Sequence, residues 1–260
     1  MQRLNWFRIV LIGLPLILTG VLLAAIFSLV LVPSLAEIWD SLLSEEMLFS
    51  LKLTIWTSLL STGLVFLVAV PTGYSLARID FFGKSIVKAI IDLPIAFPEL
   101  VLGLCLLLLF GNPAIQKMLG GLGLDFVFTK QGIVLAQFFT ALPYAVRIIK
   151  STFDYINPRL EFVSRSLGYS MFETFLRVSL PLAKSGLLAA TIIAFARSIG
   201  TFGTVLILAG GSYMQTEILP ITLYLNISYG NMPMAITSGI ILVIVSFIAI
   251  LIFEKSEANL

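Results

Sequence analysis

The sequence predicts an all-α polytopic membrane protein: six transmembrane helices, with a two-helix loop between the fourth and the fifth. Three observations carry this. Of 260 residues, 59% are hydrophobic and only 12% are charged, too few charges to cover a soluble domain. Six apolar runs approach the length of about 20 residues that a helix needs to cross the hydrocarbon core. Lys and Arg gather on one side of those runs. The expected spans are residues 9–32, 53–77, 86–110, 132–149, 185–208 and 235–253, in one membrane domain over 1–260.

The first span follows MQRLNWFR. In outline this is a secretion signal, but the apolar run is too long and no A-x-A-like site follows it cleanly, so it reads as a retained span. The second span contains Pro71 and the fourth Pro143, both expected to bend their helices. The third contains Pro94 and Pro98, four residues apart, followed by Glu99. Each proline removes a backbone donor and disturbs a carbonyl four residues earlier, leaving polar backbone that suits a path through the membrane. The fifth span carries Arg197, with Gly200, Thr201 and Gly203 close behind; the glycines permit close helix approach. Residues 217–227 are apolar but too short to span, and read as a partly embedded segment on the far side. Tyr213, Tyr224 and Tyr229 suit an interface there, whether as membrane anchors or as part of a mouth.

Orientation follows from positive charge. Arg3, Arg8, Arg78, Lys84, Lys88, Arg147, Lys150, Arg159, Arg165, Arg177, Lys184 and Lys255 fall on one side; Lys52, Lys117 and Lys130 fall on the other. Twelve against three predicts both termini in the cytoplasm of a cell membrane. The loop between spans four and five is then cytoplasmic, and it is the longest on that side.

That loop is built like a soluble element. Asn157-Pro158 is a helix start, with Asn as cap and Pro at the first helical position. Gly168 suits the left-handed residue that ends a helix. Ser170-Met-Phe-Glu173 has the spacing of a capping box. Pro181 ends the second helix or bends it into span five. Residues 157–181 thus predict two short helices with a corner at Gly168-Tyr169. Met171, Phe172, Phe175, Leu176 and Val178 leave apolar surface near the corner, which fits either a protein partner or a helix lying on the membrane.

The stretch from Glu161 to Gly168 and on to Leu180-Pro181 resembles the cytoplasmic signature of importer-type ABC transporter permeases, in which Glu-Ala-Ala precedes a Gly and a later Leu-Pro. Phe162 stands where a second acid is common, and Val163 and Ser164 replace the alanines. The runs IDLPIAFPELVLGLCLLLLFG (Ile91–Gly111), FARSIGTFGTVLILAGG (Phe195–Gly211) and TEILPITLYLNISYG (Thr216–Gly230) are similar to segments of sulfate and molybdate/tungstate permeases. The resemblance implies that the loop is a coupling element seated on an ATPase, through Glu161, Ser164, Arg165, Leu167, Gly168, Tyr169, Ser170 and Pro181. It implies two ATPase copies holding ATP and Mg, a second permease (identical or a sister) and an extracytoplasmic solute-binding protein. A tetrahedral oxyanion would follow a path beside Pro94, Pro98, Glu99, Arg197, Gly200, Thr201 and Gly203. Related permeases carry phosphonates, iron, thiamine or polyamines, which stay open alternatives.

The chain itself should be no enzyme. A phosphate-binding loop around Gly83-Lys84-Ser85 would need a glycine five positions earlier, where Arg78 stands. With no histidine, His-based catalysis and His metal ligation are excluded. GLGLD ending at Asp125 has the wrong spacing for a membrane aspartyl protease and lies in a loop. The single Cys105 forms no internal disulfide. A net charge of +2 gives no reason to expect nucleic acid. A secondary transporter or channel is the other class, but the halves show no repeat. One further expectation comes from a departure. The resembling permeases commonly place Glu four residues after the span-five Arg, where this chain has Thr201. A bare guanidinium at membrane depth costs about 2.5–3.5 kcal/mol on insertion scales, so Glu99 is expected to pair with Arg197.

Overall fold

The computed structural model describes residues 2–258; the side chains of Arg3 and Lys255, counted above, lie outside the described residues. All the regular elements described are helical. In order they are α1 (Gln2–Leu31), α2 (Leu35–Leu42), α3 (Glu45–Arg78), α4 (Lys84–Ala96), α5 (Glu99–Phe110), α6 (Pro113–Gly120), α7 (Lys130–Tyr155), α8 (Pro158–Ser166), α9 (Met171–Thr174), α10 (Leu180–Leu182), α11 (Lys184–Ile199), α12 (Gly203–Ala209), α13 (Leu219–Tyr229) and α14 (Met232–Ala258). A π-helical turn, Phe175–Ser179, joins α9 to α10.

Four helices (α1, α3, α7 and α14) are each long and apolar enough to cross a membrane. The expected third and fifth spans are not straight helices. The third is two rods, α4 and α5, meeting at 117°. The fifth run, 185–208, is α11 and α12 separated by a break at 200–202. Four straight helices, with the bent pair α4–α5 and the bent pair Met171–Leu182 with α11 each counted as one crossing, give up to six. The physical reason for the first break is proline. Phe97 precedes Pro98 and is held extended at φ −112°, ψ 159°, because a proline ring disfavours helical backbone in the residue before it.

The centre is α3, α7 and α11. A stripe on α3 of small and hydroxyl residues at spacings of three and four (Ser50, Thr54, Thr57, Ser61, Val65, Ala69 and Gly73) is buried throughout. Small residues let membrane helices approach and hydroxyls bond across the contact. Gln137 of α7 donates to Ser58 at 3.2 Å, and Thr54 accepts the Leu219 N–H at the start of α13 at 2.8 Å. Towards the two-helix loop the contact turns apolar, with Tyr74, Leu76, Ile149, Phe153 and Leu187 in one cluster. α5 and α12 lie side by side against α7, and α13 bridges α14 and α3. Helix α1 touches little beyond α14, and its apolar side chains stand exposed.

Candidate functional site

Two regions hold the residues singled out in the sequence: the two-helix loop and the paired breaks in the membrane.

In the loop, the local signals fold as expected. Asn157 caps α8 by accepting the Arg159 N–H at 3.0 Å. Gly168 turns the chain at φ +95°, open to glycine and costly to other residues. Ser170 and Glu173 form a reciprocal capping box, the Glu173 carboxylate accepting the Ser170 N–H at 2.8 Å and Ser170 Oγ accepting the Glu173 N–H at 3.2 Å. The Ser170 N–H and the Ser170 hydroxyl, which donates to the same carboxylate at 2.7 Å, hold the Glu173 carboxyl below its usual range. The rod Met171–Leu182, with Pro181 near its end, meets α11 at 76°.

The eight loop residues divide by facing. Leu167 is 75% exposed, and Arg165, Gly168, Tyr169, Ser170 and Pro181 are also exposed. Phe162 and Phe172, 72% and 69% exposed, widen this into an apolar surface around the corner. The Arg177 guanidinium stacks over Tyr169 at 5.3 Å. Glu161 and Ser164 do not join that surface, which corrects their grouping with the corner residues. Glu161 accepts from Arg78 Nε at 2.9 Å, Ser179 Oγ at 2.8 Å and Tyr74 Oη at 3.3 Å. Arg78 also donates to the Ile156 carbonyl at 2.7 Å. Buried Ser164 shares a hydrogen bond with Thr174 at 3.0 Å, tying α8 to α9. Both side chains are struts that fix the loop to the end of α3 and to itself. The adjacent guanidinium and two hydroxyls give the carboxylate charge-assisted hydrogen bonds in place of water.

In the membrane, the two breaks are packed on each other. Pro94 lies inside α4, and Pro98 opens α5. Gly200 ends α11, and Gly203 opens α12. A Cβ added at Gly203 would sit 3.1 Å from both Glu99 Cβ and the Leu100 nitrogen, and one at Gly103 would sit 3.0 Å from the Thr204 Cα. The glycines are there because two backbones meet. Glu99 Oε2 accepts the N–H groups of Phe202 at 3.2 Å and Gly203 at 3.1 Å, and the Glu99 carbonyl accepts from Thr204 Oγ1 at 3.0 Å.

The expected Glu99–Arg197 pair therefore does not form. The ion pairs among the described residues are Arg78–Glu161, Lys84–Asp80 and Lys150–Asp154. The first N–H groups of α12 have no helical partner and form the positive end of a dipole, so they take the carboxylate. Arg197 lies exposed along the Tyr144 ring, 4.2 Å from its centroid, and donates to the Tyr144 hydroxyl. Thr201 is buried and gives its hydroxyl to the Arg197 carbonyl at 2.8 Å. The path residues thus split: Pro94, Pro98, Glu99, Gly200, Thr201 and Gly203 build the paired break, while Arg197 stands beside it with its charge uncancelled by a carboxylate.

Residues 69–258 match the family model of the binding-protein-dependent transport system inner membrane component. The chain belongs to that family. It is an ABC-importer permease by descent, a membrane transport subunit. The permease is 34% identical to the molybdate/tungstate transport system permease protein WtpB of Methanocaldococcus jannaschii over 82% of its own length and 83% of the relative's. It is 34% identical to a probable molybdenum ABC transporter permease of Haloferax volcanii, over 95% and 91% of the two chains. Against the sulfate transport system permease protein CysT of Escherichia coli the identity is 28%, over 85% and 79%. In fold, the permease superposes on a chain of a bacterial alginate ABC transporter with a TM-score of 0.74 at 17% identity, covering 95% and 93%. A chain of the MetNI methionine transporter matches at 0.64 and 18%, covering 84% and 99%.

Sequence reasoning missed the partners. Arg78 entered only as a charge and as the residue that spoils a phosphate loop. Tyr144 carried no local signal at all, because it stands 53 positions from Arg197. The break in span five announced itself only as two glycines. Glu217, whose carboxyl has Glu46 as a like-charged neighbour, gave no local signal either, since the two are far apart along the chain.

Proposed function

We propose that this permease carries a tetrahedral oxyanion of the molybdate, tungstate and sulfate class into the cytoplasm. The observation that carries the reading is Arg197: a guanidinium in the apolar fifth run, exposed, aligned on Tyr144, and left free by a Glu99 that is spent on α12. A charge in such a segment is costly and is kept where it meets a partner or a ligand. A planar guanidinium with a phenol beside it offers N–H and O–H donors to an anion's oxygens. The relatives' substrates agree with this chemistry. The exposed corner around Gly168, with Phe162, Leu167 and Phe172, is the surface for an ATPase. Glu161 and Arg78 stiffen the loop so that ATPase motion reaches α3. Two ATPases with ATP and Mg, a second permease and an external binding protein complete the machine, and both termini lie in the cytoplasm.

The test is reconstitution with the cognate ATPase and binding protein. ATP-driven uptake of labelled molybdate, tungstate or sulfate is expected, and Arg197→Gln should abolish it with assembly intact. A cation, phosphonate, thiamine or polyamine co-purifying with the binding protein would overturn the substrate class. Gly168→Asp should uncouple hydrolysis from uptake; normal coupling in that variant would remove the corner from the ATPase contact. In a Cys105→Ala background, Lys117→Cys should react with an impermeant thiol reagent on intact cells and Ser166→Cys should not. The reverse pattern would invert the topology.

A further inference from the structure

A second cluster of cations lies on the loop side of Arg197. Between α4 and α7 is a cavity of about 200 Å³ lined by Lys88, Asp92, Arg147, Lys150, Ser151 and Asp154, together with apolar residues. Its polar lining sets it apart from the two larger grooves, which present almost entirely apolar surface. Lys150 is already paired with Asp154. Lys88 and Arg147 form no ion pair among the described residues, and both are exposed.

The register of α7 connects this cavity to Arg197. Thr140, Tyr144, Arg147, Ser151 and Asp154 follow one another at spacings of four, three, four and three, which is one helix face. Thr140 bonds Thr204 at the start of α12, and Tyr144 holds Arg197. One turn on, about 4.5 Å along the axis, comes Arg147, and then the cavity. The face therefore runs from the paired breaks, past Arg197, to a pair of free cations where α4 and α7 approach the two-helix loop.

We infer that the Lys88–Arg147 cavity is the exit site of the path, a second and weaker tetrahedral-oxyanion site that receives the anion from Arg197 and releases it on the loop side. The inference rests on the oxyanion reading above. About 200 Å³ holds one such anion with a partial water shell. The two carboxylates are part of the design: a cage of cations alone would trap the anion, whereas Asp92 beside Lys88 and Arg147 lowers its affinity so that it leaves. Conduction through successive sites requires binding that is favourable enough to enter and weak enough to leave. A phospholipid headgroup presents the same phosphate-like chemistry, and the experiment separates the two sources.

The complete transporter is reconstituted in vesicles with ATP and increasing tungstate trapped on the ATPase side, and the initial rate of molybdate uptake is measured. The wild type should be inhibited from that side. Arg147→Gln and Lys88→Gln should raise the half-inhibiting tungstate concentration by about tenfold, the effect of about 1.4 kcal/mol of lost binding. Asp92→Asn should lower it, and Arg147→Lys should restore most of the wild-type value. Shifts of opposite sign are the signature of an anion site, because a packing defect would lower rates without moving the two constants apart. An unchanged half-inhibiting concentration in both Arg147→Gln and Asp92→Asn, with uptake otherwise normal, overturns the exit site and leaves the oxyanion reading standing. Failure of the wild type to move any oxyanion overturns that reading itself, and this inference with it. If the shifts occur with phosphatidylglycerol and vanish in phosphatidylcholine alone, the cavity holds a headgroup and the exit site is wrong. Should the glutamine variants not assemble, tungstate density in the wild-type transporter decides: density between Lys88 and Arg147 at inhibiting concentration supports the site, and its absence refutes it.

Discussion

The two ends of α3 are each fastened to a later part of the chain through a glutamate, and they are fastened in opposite ways. At the C-terminal end, Arg78 meets Glu161 of the two-helix loop at 2.9 Å, both side chains about nine-tenths buried. At the N-terminal end, Glu46 lies against Glu217, which is 1% exposed in the connector before α13. Asn226 of α13 donates to Glu46 at 2.8 Å, and the Met214 N–H reaches Glu217 at 3.4 Å. One end is a compensated ion pair. The other sets two carboxyl groups beside each other. Burial first, and then the neighbouring Glu46, push the Glu217 carboxyl up to about 7. The far end holds a proton and loses it near neutrality.

The comparison breaks most severely at the loop end. Arg78→Gln would leave Glu161 with only hydroxyl partners in a buried position, a loss of about 3–5 kcal/mol. Thermal unfolding of the purified complex should show it, and Arg78→Gln/Glu161→Gln should cost less than the sum of the singles. Additive losses would mean that the two side chains act independently and that the strut is no unit.

The far end should respond to pH instead. Glu217 is raised from 4.5 to about 7 in the folded chain, so the folded state binds the proton more tightly than the unfolded one. Below about pH 4.5 both states are protonated and nothing is lost. As pH rises towards 7 the unfolded chain gives up its proton first, and stability falls by up to about 3 kcal/mol, then stays level. Glu217→Gln should flatten that window and leave the protein more stable than wild type at pH 8. A wild-type stability that is flat from pH 4.5 to 7.5 would show that the pair does not share a proton.

The smallest effect sharpens the contrast between anchor and corner. Gly168→Ala places a side chain at φ +95° with nothing within 4 Å of its Cβ. The cost is backbone strain alone, about 1 kcal/mol. Unfolding should barely move, while coupling of hydrolysis to uptake should fall if the exposed corner is the proposed ATPase surface. Equal losses in stability and coupling would argue that the corner is merely structural.

Local signals in the chain were enough for much of this. The Asn157-Pro158 start, the Gly168 turn and the Ser170–Glu173 box each act within a few residues, so their geometry follows from the residues concerned. The apolar runs mark the membrane segments for the same reason, since hydrophobic burial in lipid depends on length and composition. Pro98 announced a disturbance in the third run, though not a turn of 117°. What the tertiary structure alone decided was pairing. Glu99 and Arg197 are the acid and base that a sequence reading would join, yet Glu99 lies where α12 exposes unpaired N–H groups, and those take it. Glu161 looks like part of an exposed signature, yet Arg78, Tyr74 and Ser179 converge on it from up to 87 positions away. Charge and hydrogen-bond complementarity act over a few ångströms. Which groups come within that range is set by how α3, α5, α7 and α12 pack, and no spacing along the chain encodes it.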